Sequence, residues 1–226
     1  MSPPSNIEQT SHLHTLIVTT PTTVLPYARS TFSTITSVRL PMLLPSSSIP
    51  TMLSECHRIL SSSGVLQLTI MDPTPVSSTL GPKLRTWMED HLLLKLETQF
   101  RCLKPAKLMP IWLESAGFNI SPGGSERGVT VKITENMQSV PMRTGFSFRA
   151  IGRGEGGYKL NTKDKDNEMS DMLASTVGRM LWKEIYGPFV TGRSWWWEDE
   201  AIVEEAYALG TKWDVVIVDA VKKAEL

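Results

Sequence analysis

The sequence predicts an α/β fold, a mostly parallel sheet with flanking helices, and three stretches carry that prediction. Ser54 to Pro73 (SECHRILSSSGVLQLTIMDP) sets a short amphipathic helix, a glycine and an apolar strand end to end, which is half of an α/β crossover. Trp213 to Ala220 (WDVVIVDA) is an apolar run of strand length, the composition of a strand covered on both faces. Between them, helical periodicity returns twice, at Pro82 to Cys102 and at Met169 to Tyr186.

Taken in order, residues 1 to 12 are polar and expected to fray. His14 to Thr20 (HTLIVTT) is β-branched and reads as a strand that stops before Pro21; Phe32 to Leu40 (FSTITSVRL) reads as the next. Pro26, Pro41, Pro45 and Pro50 punctuate the loops. Pro50 suits the first turn of the helix that follows, with Ser47 or Ser48 near its cap. On that helix Met52, Leu53, Cys56, Ile59 and Leu60 form one apolar stripe, while Glu55 and Arg58 point away and His57 is expected to be solvated. Gly64 is expected as the left-handed residue after the helix end, and Val65 to Met71 as a strand bounded by the Asp72-Pro73 turn.

The long helix over Pro82 to Cys102 should bury Leu84, Met88, Leu92, Leu96 and Phe100, with Trp87 and Leu93 widening the stripe and Glu97 and Arg101 paired on its surface. Another helix ends at Ser115-Ala116-Gly117, with strands expected over 118–120 and 129–133. Residues 152 to 168 read as a mobile, glycine-rich linker. In the helix after it, Met172, Leu173, Thr176, Met180, Leu181 and Ile185 fall on one side. The chain is thus read as one domain, residues 13–226, after a disordered start.

Composition narrows the function classes. Lys plus Arg and Asp plus Glu both total 23, so no net field draws the chain to nucleic acid or to an anionic membrane. Two cysteines make no disulfide framework, and a reducing, cytoplasmic location is expected. The first residues lack a charged segment followed by an apolar one, and no stretch reaches the roughly 20 apolar residues of a membrane span. His12 and His14 have no Cys or carboxylate neighbours at ligand spacing, so no metal site is expected, and there is no G-x-S-x-G elbow for a serine nucleophile.

Glu55, His57, Arg58, Ile59, Leu60 and Gly64, followed by a strand that ends in Asp-Pro, resemble a fungal-type group of class I S-adenosylmethionine (SAM) dependent methyltransferases, in which E-x-h-R-[VI]-L precedes K-P-G-G. Leu80 to Arg101, Pro110 to Phe118 and Trp195 to Trp213 resemble the same group, so roughly residues 14 to 120 and 190 to 222 are covered. Ser62 and Ser63 stand where that pattern has Pro and Gly, and Ser33 where it has Asp. The resemblance implies a truncated Rossmann-like methyltransferase fold whose N-terminal, SAM-binding half is missing. Such a site needs a glycine-rich turn after the first strand, yet the first glycine here is Gly64. The cluster Gly152, Gly154, Gly156, Gly157 is followed by charged and polar residues instead of a helix face, so it reads as a loop. No cofactor is therefore expected, or SAM only if another chain completes the site. The loss of central strands also leaves the Phe32 strand with a bare flank, to be covered by residues 14–20, by a second copy in a homodimer, or by a partner chain.

In open α/β sheets ligands sit at the carboxyl ends of strands. That places the expected crevice at the ends of the Phe32 and Val65 strands, roofed by the Pro82 helix and the triple Trp195, Trp196, Trp197. Asp72 and His91 are the catalytic candidates. Asp72 also reads as a turn residue, and His91 as an ordinary helix histidine. Arg39, Met71, Trp87, Met88 and the three adjacent tryptophans are the substrate-binding candidates. Three adjacent indoles cannot all face one core, so at least one should lie at a pocket mouth or an interface. Three functions stay open: a cofactor-independent cyclase or isomerase of pericyclase type acting on a bulky apolar small molecule of specialised metabolism, a SAM-dependent methyltransferase completed by another chain, and a non-catalytic partner of a methyltransferase.

Overall fold

The computed structural model describes residues 23–120, 145–151 and 167–223. The expected strands at His14 to Thr20 and 129–133, the polar start and the linker up to residue 166 lie outside them. In chain order the elements are β1 (Phe32–Ser37), α1 (Leu40–Leu43), α2 (Ile49–Ile59), β2 (Leu60–Met71), α3 (Pro82–Met88), a π-helical turn (Glu89–Leu93), α4 (Leu94–Thr98), α5 (Pro105–Ser115), β3 (Phe118–Asn119), β4 (Gly145–Ile151), α6 (Asn167–Tyr186), α7 (Glu200–Ala208) and β5 (Lys212–Lys222).

The sheet is mixed, not mostly parallel. Its order is β1-β2-β5-β3, with β4 also on β5. β1 and β2 are parallel, whereas β5 runs antiparallel to β2 from Met71↔Val215 to Val65↔Val221. On its other flank β5 pairs with β4 in parallel over Lys212–Val218 and with β3 antiparallel at Val221 and Lys222. The reason lies in where β5 starts. Val76 N–H donates to the Lys212 carbonyl (2.9 Å), and Thr211 Oγ1 donates to the Thr79 carbonyl (2.6 Å). These bonds anchor the start of β5 beside the loop that leaves the carboxyl end of β2, so the strand runs back along its neighbour. Among the described strands, β1 has β2 as its partner on one flank and none on the other.

The α2-to-β2 junction departs from the glycine-capped reading. Leu60 is already extended (φ −74°, ψ 140°), and the left-handed residue is Ser63 (φ 61°), not Gly64. Register passes from Phe32↔Leu60 to Thr34↔Val65, two steps along β1 against five along β2, so residues 61–64 form a bulge. Lys222 Nζ donates to the Leu60 carbonyl there at 3.0 Å. Gly64 serves close approach, because a Cβ at that position would stand 2.9 Å from the Ser61 carbonyl oxygen and 3.2 Å from that of Ser33. His57 is not simply solvated: its ring meets Phe118 edge-on at 5.3 Å.

The long helix keeps its buried stripe of Leu84, Met88, Leu92 and Leu96 but widens into the π turn and ends at Thr98. Phe100, expected on the stripe, adopts φ 55° and is 75% exposed. Arg101 therefore leaves the helix and lies over the Phe189 ring at 5.5 Å instead of pairing with Glu97, with two of its nitrogens, Nε and Nη1, lacking a hydrogen-bond partner. On α6 the buried face is Ser175, Trp182, Ile185 and Tyr186, while Met180 is 68% exposed and Thr176 is exposed too. The expected face was rotated because it followed the methionines, whereas tryptophan and tyrosine offer more area to bury.

Carboxylates close three helix starts. Asp199 accepts from Ala201 N–H and Ile202 N–H at the start of α7. Glu205 of α7 accepts from Lys83 N–H (3.0 Å) and Leu84 N–H (3.1 Å) at the start of α3, where Gly81 leaves room for it. Asp72 accepts from Ala106 N–H (3.0 Å) at the start of α5. Each satisfies backbone donors that have no partner within the helix and places negative charge at the positive end of its dipole.

Candidate functional site

The carboxyl end of β2, where the crevice was expected, is filled by the chain's own aromatic rings. The Tyr186 hydroxyl donates to the Met71 carbonyl. Trp182 Nε1 and Trp213 Nε1 both donate to the Pro73 carbonyl, at 3.0 and 3.3 Å. All three side chains are buried. Around them Trp182 meets Trp87 (6.4 Å), Tyr186 (5.6 Å) and Trp197 (5.8 Å) between ring centroids, and Trp196 stacks on Trp213 at 5.1 Å. The offset and edge-on geometries are those that aromatic quadrupoles favour. Burial pushes the Tyr186 phenol well above its ordinary pKa, helped by the negative charge of Asp72 and by Cys102, which keeps it a hydrogen-bond donor.

Among the described residues, open space lies on the outer side of this cluster. A recess of about 400 Å³ is lined by Lys83, Thr86, Trp87, Asp90, His91, Asp199, Ala201 and Ile202. Trp87 is 8% exposed and supplies the aromatic wall; the His91 ring leans on it at 5.3 Å and 59°. Asp199 and Lys83 are engaged in holding α7: Lys83 Nζ donates to the Ala201 carbonyl at 3.3 Å. Asp90 is exposed beside them. The recess thus combines the small accessible part of one indole, one imidazole, one lysine and two exposed carboxylates, of which Asp199 is engaged in capping α7.

His91 lies in the middle of the π turn, a distortion that is frequent at functional sites. Its carbonyl accepts from Thr191 N–H (2.9 Å) and from Thr191 Oγ1 (3.2 Å), which ties the turn to the segment after α6.

Of the residues singled out from the sequence, Trp87 and His91 line the recess together. The others go elsewhere. Asp72 has both oxygens in use, Oδ1 on Ala106 N–H and Oδ2 at 3.5 Å from Lys104 Nζ. Burial raises its pKa, against the opposing pull of that N–H and of Lys104. Met71 and Met88 are buried in the core. Arg39 flanks α1 and forms an ion pair with Glu184 at 3.3 Å. The tryptophan triple divides: Trp196 is fully buried with its Nε1 unpaired, while Trp195 and Trp197 are half-buried and stacked on each other at 5.1 Å and 3°, with Lys183 Nζ 4.8 Å from the Trp195 ring centroid.

Sequence reasoning missed the structural weight of Trp182, Tyr186 and Trp213, although the expected helix Met169 to Tyr186 contained the first two off its predicted face. It also missed Lys83, Thr86, Asp90 and Asp199 as recess residues. Asp90 and Thr86 flank residues already singled out, whereas Asp199 had no local signal.

No family model matches the sequence, and no curated protein matches it. Among solved structures the chain is similar to the crystal structure of the [4+2]-cyclase SpnF, at 16% identity and a TM-score of 0.33, over 90% of this chain and 55% of that one. The chain thus spans about half the length of that protein.

Proposed function

We propose that this protein is a methyltransferase-like binding protein for a bulky, flat, apolar small molecule and that it promotes cyclisation or isomerisation of that molecule without SAM. One observation carries the reading: Trp87 and His91 stand in ring contact and face the same recess. The volume lies within the roughly 300–1,000 Å³ of small-molecule sites. Contact with the accessible part of the indole and with the His91 ring holds a conjugated ligand in one conformer, and holding a reactive conformer can by itself lower the barrier to ring closure. The imidazole beside it can donate or accept a proton, and Asp90 can stabilise positive charge that develops at the ligand.

The test is a fluorescence titration of the pure protein with a panel of linear polyenes, followed by product analysis with and without added SAM. Binding that is weakened in Trp87→Ala, with turnover lost in His91→Gln and indifferent to SAM, is expected. Calorimetric SAM binding with micromolar or better affinity would overturn the cofactor-free part. A second reading, pairing with another chain, is favoured by the outer flank of β1, which no other described strand covers, since an open strand edge is a template for a further strand. Sedimentation equilibrium decides it: a concentration-independent monomer removes a self-paired edge.

A further inference from the structure

We propose that Thr191 and Gly192 are positioning residues that fix the His91 ring so that Nε2 presents to the recess; the functional meaning of this rests on the reading above. Thr191 donates twice to the His91 carbonyl, so it holds the backbone of the π turn at the residue that carries the imidazole. Gly192 then packs against the ring itself. A Cβ at Gly192 would lie 3.2 Å from His91 Cγ, 3.3 Å from the Ser194 carbonyl oxygen and 3.4 Å from His91 Nδ1. Glycine therefore backs the imidazole at Cγ and Nδ1, and Nε2 is the ring atom opposite that bond. Trp87 at 5.3 Å limits rotation on the other side. A ring held between an indole and a glycine turn has little rotamer freedom, and such pre-set geometry is what a proton-transferring group requires. No side chain larger than hydrogen fits at Gly192 without moving either the ring or the Ser194 carbonyl.

The experiment reads the ring directly, with no ligand. The imidazole Cε1–H signals of the full chain are recorded by ¹H–¹³C correlation, with His91→Gln assigning one of the four histidines. Gly192→Ala should displace the His91 signal and abolish its cross-relaxation with the Trp87 ring, while the His57 signal, set against Phe118, stays in place. Thr191→Val should displace the His91 signal in the same direction, and Thr191→Ser, which restores the hydroxyl donor, should return it to the wild-type position. An unmoved His91 signal in Gly192→Ala, or His57 moving as far as His91, overturns the proposal. If Gly192→Ala does not fold, the Thr191→Val and Thr191→Ser pair decides alone: it sinks the proposal if Ser fails to restore what Val displaced. Displacement of His91 together with unchanged polyene turnover in His91→Gln would leave the positioning intact and refute the proposed function instead.

Discussion

Replacing Trp182 and Trp213 by phenylalanine, singly and together, tests whether the carboxyl end of β2 is a packed aromatic plug. Both indoles donate to one acceptor, the Pro73 carbonyl. Trp182→Phe removes one donor, a net loss of about 1 kcal/mol. It also removes three ring atoms from a fully buried site that touches Trp87, Tyr186 and Trp197, for about 1–2 kcal/mol more. A destabilisation of about 2–3 kcal/mol is expected. Trp213→Phe, whose bond is longer and whose ring is stacked on Trp196, should cost about 1–3 kcal/mol by the same reasoning. Each single variant still leaves the carbonyl one donor. The double variant leaves none, and an orphaned buried acceptor costs roughly 1–3 kcal/mol. The pair should therefore be non-additive by about that much, with the double variant worse than the sum. Urea unfolding followed by far-ultraviolet circular dichroism measures it, since that signal is dominated by the backbone and depends far less than fluorescence on the two tryptophans altered out of seven. Additivity within about 0.5 kcal/mol, or a Trp182→Phe cost below that figure, would refute the shared-acceptor plug.

Acid should act through Glu55, whose pKa is held at about 2 by its hydrogen bond with Arg58 and, less strongly, by Leu25 N–H. A carboxylate depressed in the folded state stabilises above its ordinary value and loses that contribution as pH falls from about 4.5 towards 2, so Glu55→Gln should flatten the acid unfolding profile in that window. Asp72 has the opposite sign: with its pKa raised in the folded state, the linked stability falls as pH rises just above the ordinary value of 3.8, and Asp72→Asn should remove that slope in a titration of unfolding free energy. Asp199→Ala should cost about 1 kcal/mol in urea unfolding through the lost cap of α7. Gly117→Ala should cost at least about 1 kcal/mol, because the residue sits at φ 89° and a Cβ would stand 3.1 Å from His57 Nε2; an unchanged melting temperature would contradict that contact.

What the sequence revealed follows from what hydrophobic periodicity can encode. The α2 stripe, the β2 and β5 runs and the reach of α6 were legible because burial imposes a period on each. Strand direction was not: an apolar run such as WDVVIVDA reads the same whichever way it lies, and β5 is turned antiparallel by its tie to Val76 and Thr79. The left-handed residue was assigned to Gly64 by composition, yet the bulge puts it on Ser63. Phe100 fitted the stripe arithmetically, but the π turn and the helix stop at Thr98 take the backbone out of phase. At the site, Trp87 and His91 one turn apart were within reach of local reasoning. Asp199 and Thr191 come from about a hundred residues away and meet them through tertiary structure. Of the tryptophan triple, expected at a pocket mouth or an interface, Trp196 is buried, Trp195 and Trp197 are half-buried against the core, and none of the three lines the recess.

The carboxylate that closes α3 bears on how the chain can be made. Lys83 N–H waits for Glu205, 122 residues downstream. At a synthesis rate of roughly 5–20 residues per second, α3 leaves the ribosome about 6–24 seconds before its cap exists. α3 continues through the π turn into α4, and such a helix takes most of its stability from packing of its apolar face. The stripe of Leu84, Trp87 and Met88 therefore lacks its α7 neighbour throughout that interval, and α3 completes its packing only once α7 emerges.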